Sequence, residues 1–248
     1  MLYIGLELAT LPVAALASYN VFSRQSSEAG IKLILSAALS SGMLLFGVSI
    51  MYAIGGSLYF SELAGNIEYS YLSILGLIMV FSGMAFKISL VPFHFWTADV
   101  YEGAPTPVAS YLSAVSKAAA VFILMILLFK VFPNLAWVWN YLLYGIAILT
   151  MVIGNLFALR QKNLQRFMAF SSVAQAGFIM MGFLSGDHVA VTAIVYFLAI
   201  YVLSNIVIFG AVQAIGLASG KYSIDDYNGL YRTNPYISLA LMVGLFSL

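Results

Sequence analysis

The sequence contains no cysteine, which excludes disulfides, thiolate-bound iron–sulfur clusters and cysteine nucleophiles, and its two histidines are too few for most metal cages. Charge is also scarce. Ten Lys and Arg with nine Asp and Glu make up 8% of 248 residues, where a soluble domain carries about a quarter. A net charge of +1 and the lack of a Lys/Arg-rich run leave no electrostatic footprint for nucleic acid. No Gly-rich phosphate loop, Ser-His-Asp order or metal-ligand spacing is found either.

Apolar residues are what is present. They form 63% of the chain, and the mean hydropathy of +1.01 persists along its length. A water-soluble fold of this size needs far more polar surface, so the whole chain belongs in a lipid bilayer. The expected fold class is all-α: one transmembrane domain over residues 1–248, built as a polytopic helix bundle. Spanning a hydrocarbon core of about 30 Å takes about 20 helical residues. Seven runs qualify, at 1–22, 30–55, 71–101, 107–132, 136–159, 167–184 and 189–215, with a truncated eighth from 235. The start could pass for a signal peptide, but it lacks a basic region and Glu7 interrupts it, so a retained helix is expected. Both ends lie inside apolar sequence, with FSL at 246–248 uncapped, which suggests a piece of a longer protein.

Alternating crossings place segments 23–29, 102–106, 160–166 and 216–234 on one face, and 56–70, 133–135 and 185–188 on the other. The first face holds Arg24, Arg160, Lys162, Arg166, Lys221 and Arg232, whereas the second has Lys130 at its edge and carries Glu62, Glu68 and Asp187. The positive-inside rule makes the first face cytoplasmic. Met1 then starts on the outer side.

The run 71–101 is too long for one straight crossing and contains Pro92, which removes the helical partner of the Ile88 carbonyl and disfavours helical geometry at Val91. A discontinuous helix near Lys87–Pro92 follows. Non-helical backbone at membrane depth survives only where protein or water satisfies it, so a polar cavity is expected there. EGAPTP at 102–107 turns the chain into the next run.

Three charged residues fall well inside the membrane: Glu7 in the first run, Lys87 midway along the broken one, and Lys117 about ten residues into the fourth. A lone charge at that depth costs about 2.5 to 3.5 kcal/mol on insertion scales and should face the interior, find a partner and serve a function. The plain alternative is a set of structural ion pairs or snorkelling ends. Burial disfavours an ammonium while a nearby carboxylate stabilises it, so displacing either member of a Glu7 and Lys87 pair toggles a proton. Lys117 is a candidate second carrier. His94 titrates near physiological pH when unperturbed and is either a relay or a structural hydrogen-bonding residue. For Asp99 and Glu102, capping or pairing with Arg or Lys ranks first. Lys32 and Lys130, near run ends, read as snorkelling. Ser171, Ser172, Gln175, Ser204 and Asn205 read as interhelical hydrogen-bonding residues, Ser110, Ser113 and Ser116 as close packing beside Lys117, and Trp96, Trp137 and Trp139 as interfacial belts.

The segment KISLVPFHFWTADVYEGAPTPVASYLSAVSK, Lys87 to Lys117, resembles the signature of the antiporter-like subunits of proton-pumping NADH:quinone oxidoreductase, respiratory complex I. ELATLPVAALASYN at 7–20 and RFMAFSSVAQAGFIMMGF at 166–183 point to the N-subunit branch, and the resemblance covers essentially the whole chain. It implies a membrane translocase subunit, with a functional glutamate and paired lysines falling on Glu7, Lys87 and Lys117. Protons would move while quinone is reduced elsewhere; NAD, quinone, flavin and iron–sulfur clusters would belong to other subunits, with none in this chain. Implied partners are lipid and the other membrane subunits, neighbouring antiporter-like ones included, in a bacterial plasma (inner) membrane. The family is built from two inverted five-helix repeats with a broken helix in each, so a second half-channel is expected beyond Leu248 and further helices before Glu7. Gln175 stands where relatives often place a histidine. Two other readings stay open: a subunit of a multi-subunit cation/proton antiporter, and a structural membrane scaffold.

Overall fold

The computed structural model describes residues 1–186 and 188–248, with side chains outside 187–189; Asp187, expected to mark the second face, lies outside the described residues. Among the described residues every regular element is helical, apart from one isolated β-bridge between Asn163 and Ser223. In chain order the helices longer than one turn are α1 (Leu2–Ala17), α2 (Arg24–Gly55), α3 (Phe60–Asn66), α4 (Tyr71–Ile88), α5 (Phe95–Gly103), α6 (Thr106–Val131), α7 (Ala136–Ala158), α8 (Leu164–Phe183), α9 (His188–Ser219) and α10 (Pro235–Ser247).

Local chemistry sets the ends. The Ser23 hydroxyl accepts the Ser26 amide at the start of α2, Ser70 accepts the Ser73 amide at the start of α4, and Asn163 accepts the Gln165 amide at the start of α8. Gly56, at φ +68°, terminates α2 in the left-handed conformation that glycine adopts without strain.

Among the described residues five helices are long and apolar enough to cross a membrane: α2, α4, α6, α7 with its leading turn from Pro133, and α9. The expected first and eighth runs form shorter apolar helices, and α8, at 20 residues, is diluted by Gln165, Arg166, Ser171, Ser172 and Gln175. The outer surface is apolar, with Leu8, Leu39 and Leu203 about two-thirds exposed (66%, 70% and 65%), as lipid contact requires.

Small residues let the helices approach closely. A Cβ on Gly47 of α2 would lie 2.6 Å from the Val80 nitrogen of α4, and one on Gly154 of α7 would lie 2.6 Å from the Ala174 nitrogen of α8. Such contacts replace hydrophobic driving force inside a bilayer with van der Waals packing.

Hydrogen bonds group the connecting segments as alternation requires. At one end Arg166 meets Glu102, Gln165 meets Thr106, and the Lys162 carbonyl accepts the Ile224 amide. At the other, Asn134 donates to the Ala64 and Ile67 carbonyls. The short α3 within 56–70 was not expected from sequence.

Trp96 and Trp139 differ from the interfacial expectation. Both are buried, donating to the Phe86 and Phe132 carbonyls at 3.1 Å, and of the three only Trp137 is exposed.

Candidate functional site

The discontinuity falls between Ile88 and Phe95, slightly earlier than proline chemistry alone places it. Ser89 adopts φ +66°, closing α4 before Pro92 is reached, and Lys87 therefore occupies the last turn of α4 rather than mid-helix. The exposed backbone groups are satisfied by protein. The Phe86 carbonyl accepts from the Ser89 amide and the Trp96 indole, the Ala85 carbonyl accepts the Leu90 amide, and the Val91 amide donates to the hydroxyl of Thr150, a fully buried residue of α7, at 3.1 Å.

Glu7 and Lys87 both reach the junction of α1 with α2 and α4. Lys87 donates to the Thr10 hydroxyl and, at 3.4 Å, to the Leu6 carbonyl, while Glu7 accepts the Ser41 hydroxyl at 2.5 Å. They make no direct ion pair among the described residues; each charge is held by a hydroxyl instead. Beside Lys87 is a cavity of about 90 Å3 bounded by Thr10, Leu33, Phe86, Lys87, Ser116 and Ala120 among others. The expected cavity at the break thus exists but is largely apolar, with room for a few water molecules at roughly 10 to 15 Å3 each.

Lys117 is 2% exposed. Its helix is regular except for two π turns, one of which, Leu112–Ser116, ends immediately before it. Such single-turn insertions widen a helix locally and recur at functional positions. The ammonium donates to the Ser172 hydroxyl of α8 at 2.7 Å and sits 5.9 Å from the centroid of the Tyr101 ring. Among the described residues no carboxylate lies within ion-pair distance of it. One turn earlier on α6, Ser113 donates to Asn205 at 2.9 Å and lies 3.3 Å from the Tyr201 hydroxyl.

At the Arg166 end, Asp99 and Glu102 pair as expected. Arg166 contacts Asp99 at 2.9 Å and Glu102 at 2.6 Å, and Lys32 contacts Asp99 at 2.5 Å and Glu28 at 2.6 Å. Lys32 is thus not a free snorkelling end but part of a network tying α5 to α2 and α8. Lys130 is exposed. His94 is 3% exposed, packs 4.4 Å from Phe95, and has neither ring nitrogen hydrogen-bonded. It is not brought to the lysines by any hydrogen bond. Gln175 donates to the Leu248 carbonyl.

Sequence reading singled out the charges and missed Thr10 and Ser41, the hydroxyls that hold Lys87 and Glu7, as well as Thr150, Tyr101 and Tyr201. The only signal available was position, since Thr10 follows Glu7 by three residues on one helix face.

Over residues 1–248 the chain matches the family described as NADH:quinone oxidoreductase/Mrp antiporter, TM. It is 47% identical over 249 residues to NADH-quinone oxidoreductase subunit N of Phocaeicola vulgatus, covering 100% of this chain and 53% of that protein. Its fold matches a chain of respiratory complex I from Thermus thermophilus with TM-score 0.82 and 32% identity, covering 98% of this chain and 52% of that one. A chain of the membrane-bound sulfane sulfur reductase, an archaeal respiratory membrane complex, matches with TM-score 0.89 and 30% identity over 98% of this chain and 50% of that one. The chain spans about half the length of the relatives it matches.

Proposed function

Since the chain belongs to the transmembrane family shared by NADH:quinone oxidoreductase and Mrp antiporters, we propose that it works as a proton-translocating membrane subunit of an NADH:quinone oxidoreductase. Lys117 carries the reading. An amine 2% exposed, held by one serine hydroxyl and a tyrosine face rather than by a carboxylate, is not locked in one charge state by an ion pair and suits reversible protonation.

In this reading Lys117 is the inner proton carrier, and Glu7 with Lys87 is the element biased by events elsewhere in the complex. Because Thr10 and Ser41 separate the two charges, a small shift of α1 against α4 would bring them together or part them further, changing how well the ammonium is stabilised. His94, buried and unpaired, is an accessory relay at the break. Redox groups belong to other subunits, so this chain contributes transport rather than electron transfer. Neighbouring antiporter-like subunits and lipid are its partners. The membrane is a bacterial inner membrane, with the Arg160, Lys162 and Arg166 segment cytoplasmic, an orientation supported by the clustering of basic residues at that end.

The test is Lys117→Met in the full-length protein within its assembled complex, reading proton uptake per NADH oxidised in inverted vesicles. A loss of uptake with the complex still assembled is expected; unchanged uptake overturns the reading. Sodium-dependent exchange without redox subunits would move the chain to the Mrp side of its family.

A further inference from the structure

Six polar side chains meet in the interior around Lys117 with no carboxylate among them: Lys117 and Ser113 on α6, Ser172 on α8, Tyr201 and Asn205 on α9, and Tyr101 on α5. Each is at most 2% exposed. Two one-turn pairs, Ser113 with Lys117 and Tyr201 with Asn205, lie on facing surfaces of α6 and α9, which the Ser113 bonds to Tyr201 and Asn205 join.

Ordinary interhelical hydrogen bonding accounts for part of this. It accounts for Ser113, whose hydroxyl donates to Asn205, and for the Asn205 amide, which donates to the Tyr201 carbonyl at 2.8 Å. It does not account for Tyr101. That hydroxyl is fully buried and closes no hydrogen bond, although Ser172 and Ser113 both lie beside it. A buried hydroxyl kept without a partner costs about 1 to 3 kcal/mol, and phenylalanine would fill the same space without that cost. A purely structural site has no use for it.

We infer that the Tyr101 hydroxyl is a proton-carrying group that connects Lys117 and Ser172 on one side with Ser113, Tyr201 and Asn205 on the other. The inference rests on the translocation reading above and adds a direction and a residue to it. Ser172 already accepts from the Lys117 ammonium and donates to the Ala169 carbonyl. Rotation of its hydroxyl from Ala169 toward Tyr101 completes a chain of hydroxyls. A proton then leaves the ammonium for the Ser172 oxygen while the Ser172 proton passes to Tyr101, the Tyr101 proton to Ser113 and the Ser113 proton to Tyr201, 3.3 Å away, which releases its own proton to a water molecule. Every hydroxyl gains one proton and gives one up, so no charge remains on the chain and Lys117 is left neutral. The Tyr101 ring faces Lys117 and comes from the half-helix that follows the break, so movement of α5 would make or interrupt the connection. Ion pairs from Asp99 and Glu102, which flank Tyr101 in the sequence, to Lys32 and Arg166 hold that half-helix.

The test is Tyr101→Phe in the full-length protein within its complex, beside Lys117→Met in the same preparation. Tyr101→Phe keeps the ring, the volume and the contact with the ammonium. The expected result is normal assembly and NADH-to-acceptor electron transfer with coupled proton uptake slowed on the order of tenfold or more. Normal uptake in Tyr101→Phe with uptake abolished in Lys117→Met overturns the relay and leaves the translocation reading standing. Normal uptake in both overturns the translocation reading itself. Should Tyr101→Phe not assemble, Tyr201→Phe decides the matter: slowed uptake supports the hydroxyl chain and normal uptake overturns it.

Discussion

Glu7 and Lys87 come from different helices to the same junction and do not touch: the carboxylate takes the Ser41 hydroxyl of α2 and the ammonium takes the Thr10 hydroxyl of α1. Opposite charges brought to one junction at membrane depth are candidates for an ion pair, and here each takes a hydroxyl instead. Held apart by hydroxyls, they retain a second arrangement, and a two-state element needs two arrangements of similar energy.

Glu7→Gln should therefore leave stability nearly unchanged, within about 0.5 kcal/mol, because glutamine still accepts the Ser41 hydroxyl. Coupled proton uptake should fall. Thermal unfolding of the purified complex alongside vesicle proton uptake separates the two effects, and a large stability loss without a transport defect would make the pair structural.

Thr150 supplies the one side-chain acceptor for the Val91 amide at the helix break. Thr150→Val keeps the shape and leaves that buried amide unsatisfied, for a cost of about 1 to 3 kcal/mol. Thr150→Ser should recover most of it. Denaturation midpoints of the three proteins in one detergent provide the comparison.

The Arg166 network is partly exposed, with its side chains 25% to 42% accessible apart from Glu28 at 54%. Arg166→Ala should destabilise by about 1 kcal/mol, since two carboxylates lose one shared cation, and Lys32→Ala by less. Both losses should shrink in high salt. An Arg166→Ala effect independent of ionic strength would contradict an electrostatic origin.

Two glycines of α7 should respond in opposite ways. Gly154→Ala places a methyl group 2.6 Å from the Ala174 backbone nitrogen and forces α7 and α8 apart, costing about 1 to 3 kcal/mol. Gly145→Ala meets nothing within 4 Å and should be neutral or slightly stabilising through helix propensity. Expression level and unfolding temperature report both.

The sequence by itself determined the apolar, all-helical character of the chain and the break, though it counted seven full crossings where five helices among the described residues are long and apolar enough to span. Bilayer thickness converts run length into helix count, and backbone groups that lipid cannot satisfy must bond within a helix, so composition and length are sufficient. The grouping of connecting segments at two ends follows from that alternation and is repeated in the hydrogen bonds of Arg166 with Glu102 and of Asn134 with Ala64. Glu7, Lys87 and Lys117 were equally visible, because a charge in an apolar run stands out at any alignment of helices. Their partners were not. Ser, Thr and Tyr are common in membrane helices, and whether Ser172 or Ser171 meets Lys117 depends on the rotation of α8 about its axis, which small-residue contacts such as Gly154 with Ala174 set. The tertiary structure also decided that α4 ends at Ser89 rather than at Pro92, because Trp96 and Thr150 arrive from elsewhere to satisfy the freed backbone. Most decisively, it placed the Tyr101 hydroxyl unpaired beside Lys117. That depends on how α5 packs after the break, where the chain has left the helical periodicity that sequence reading relies on.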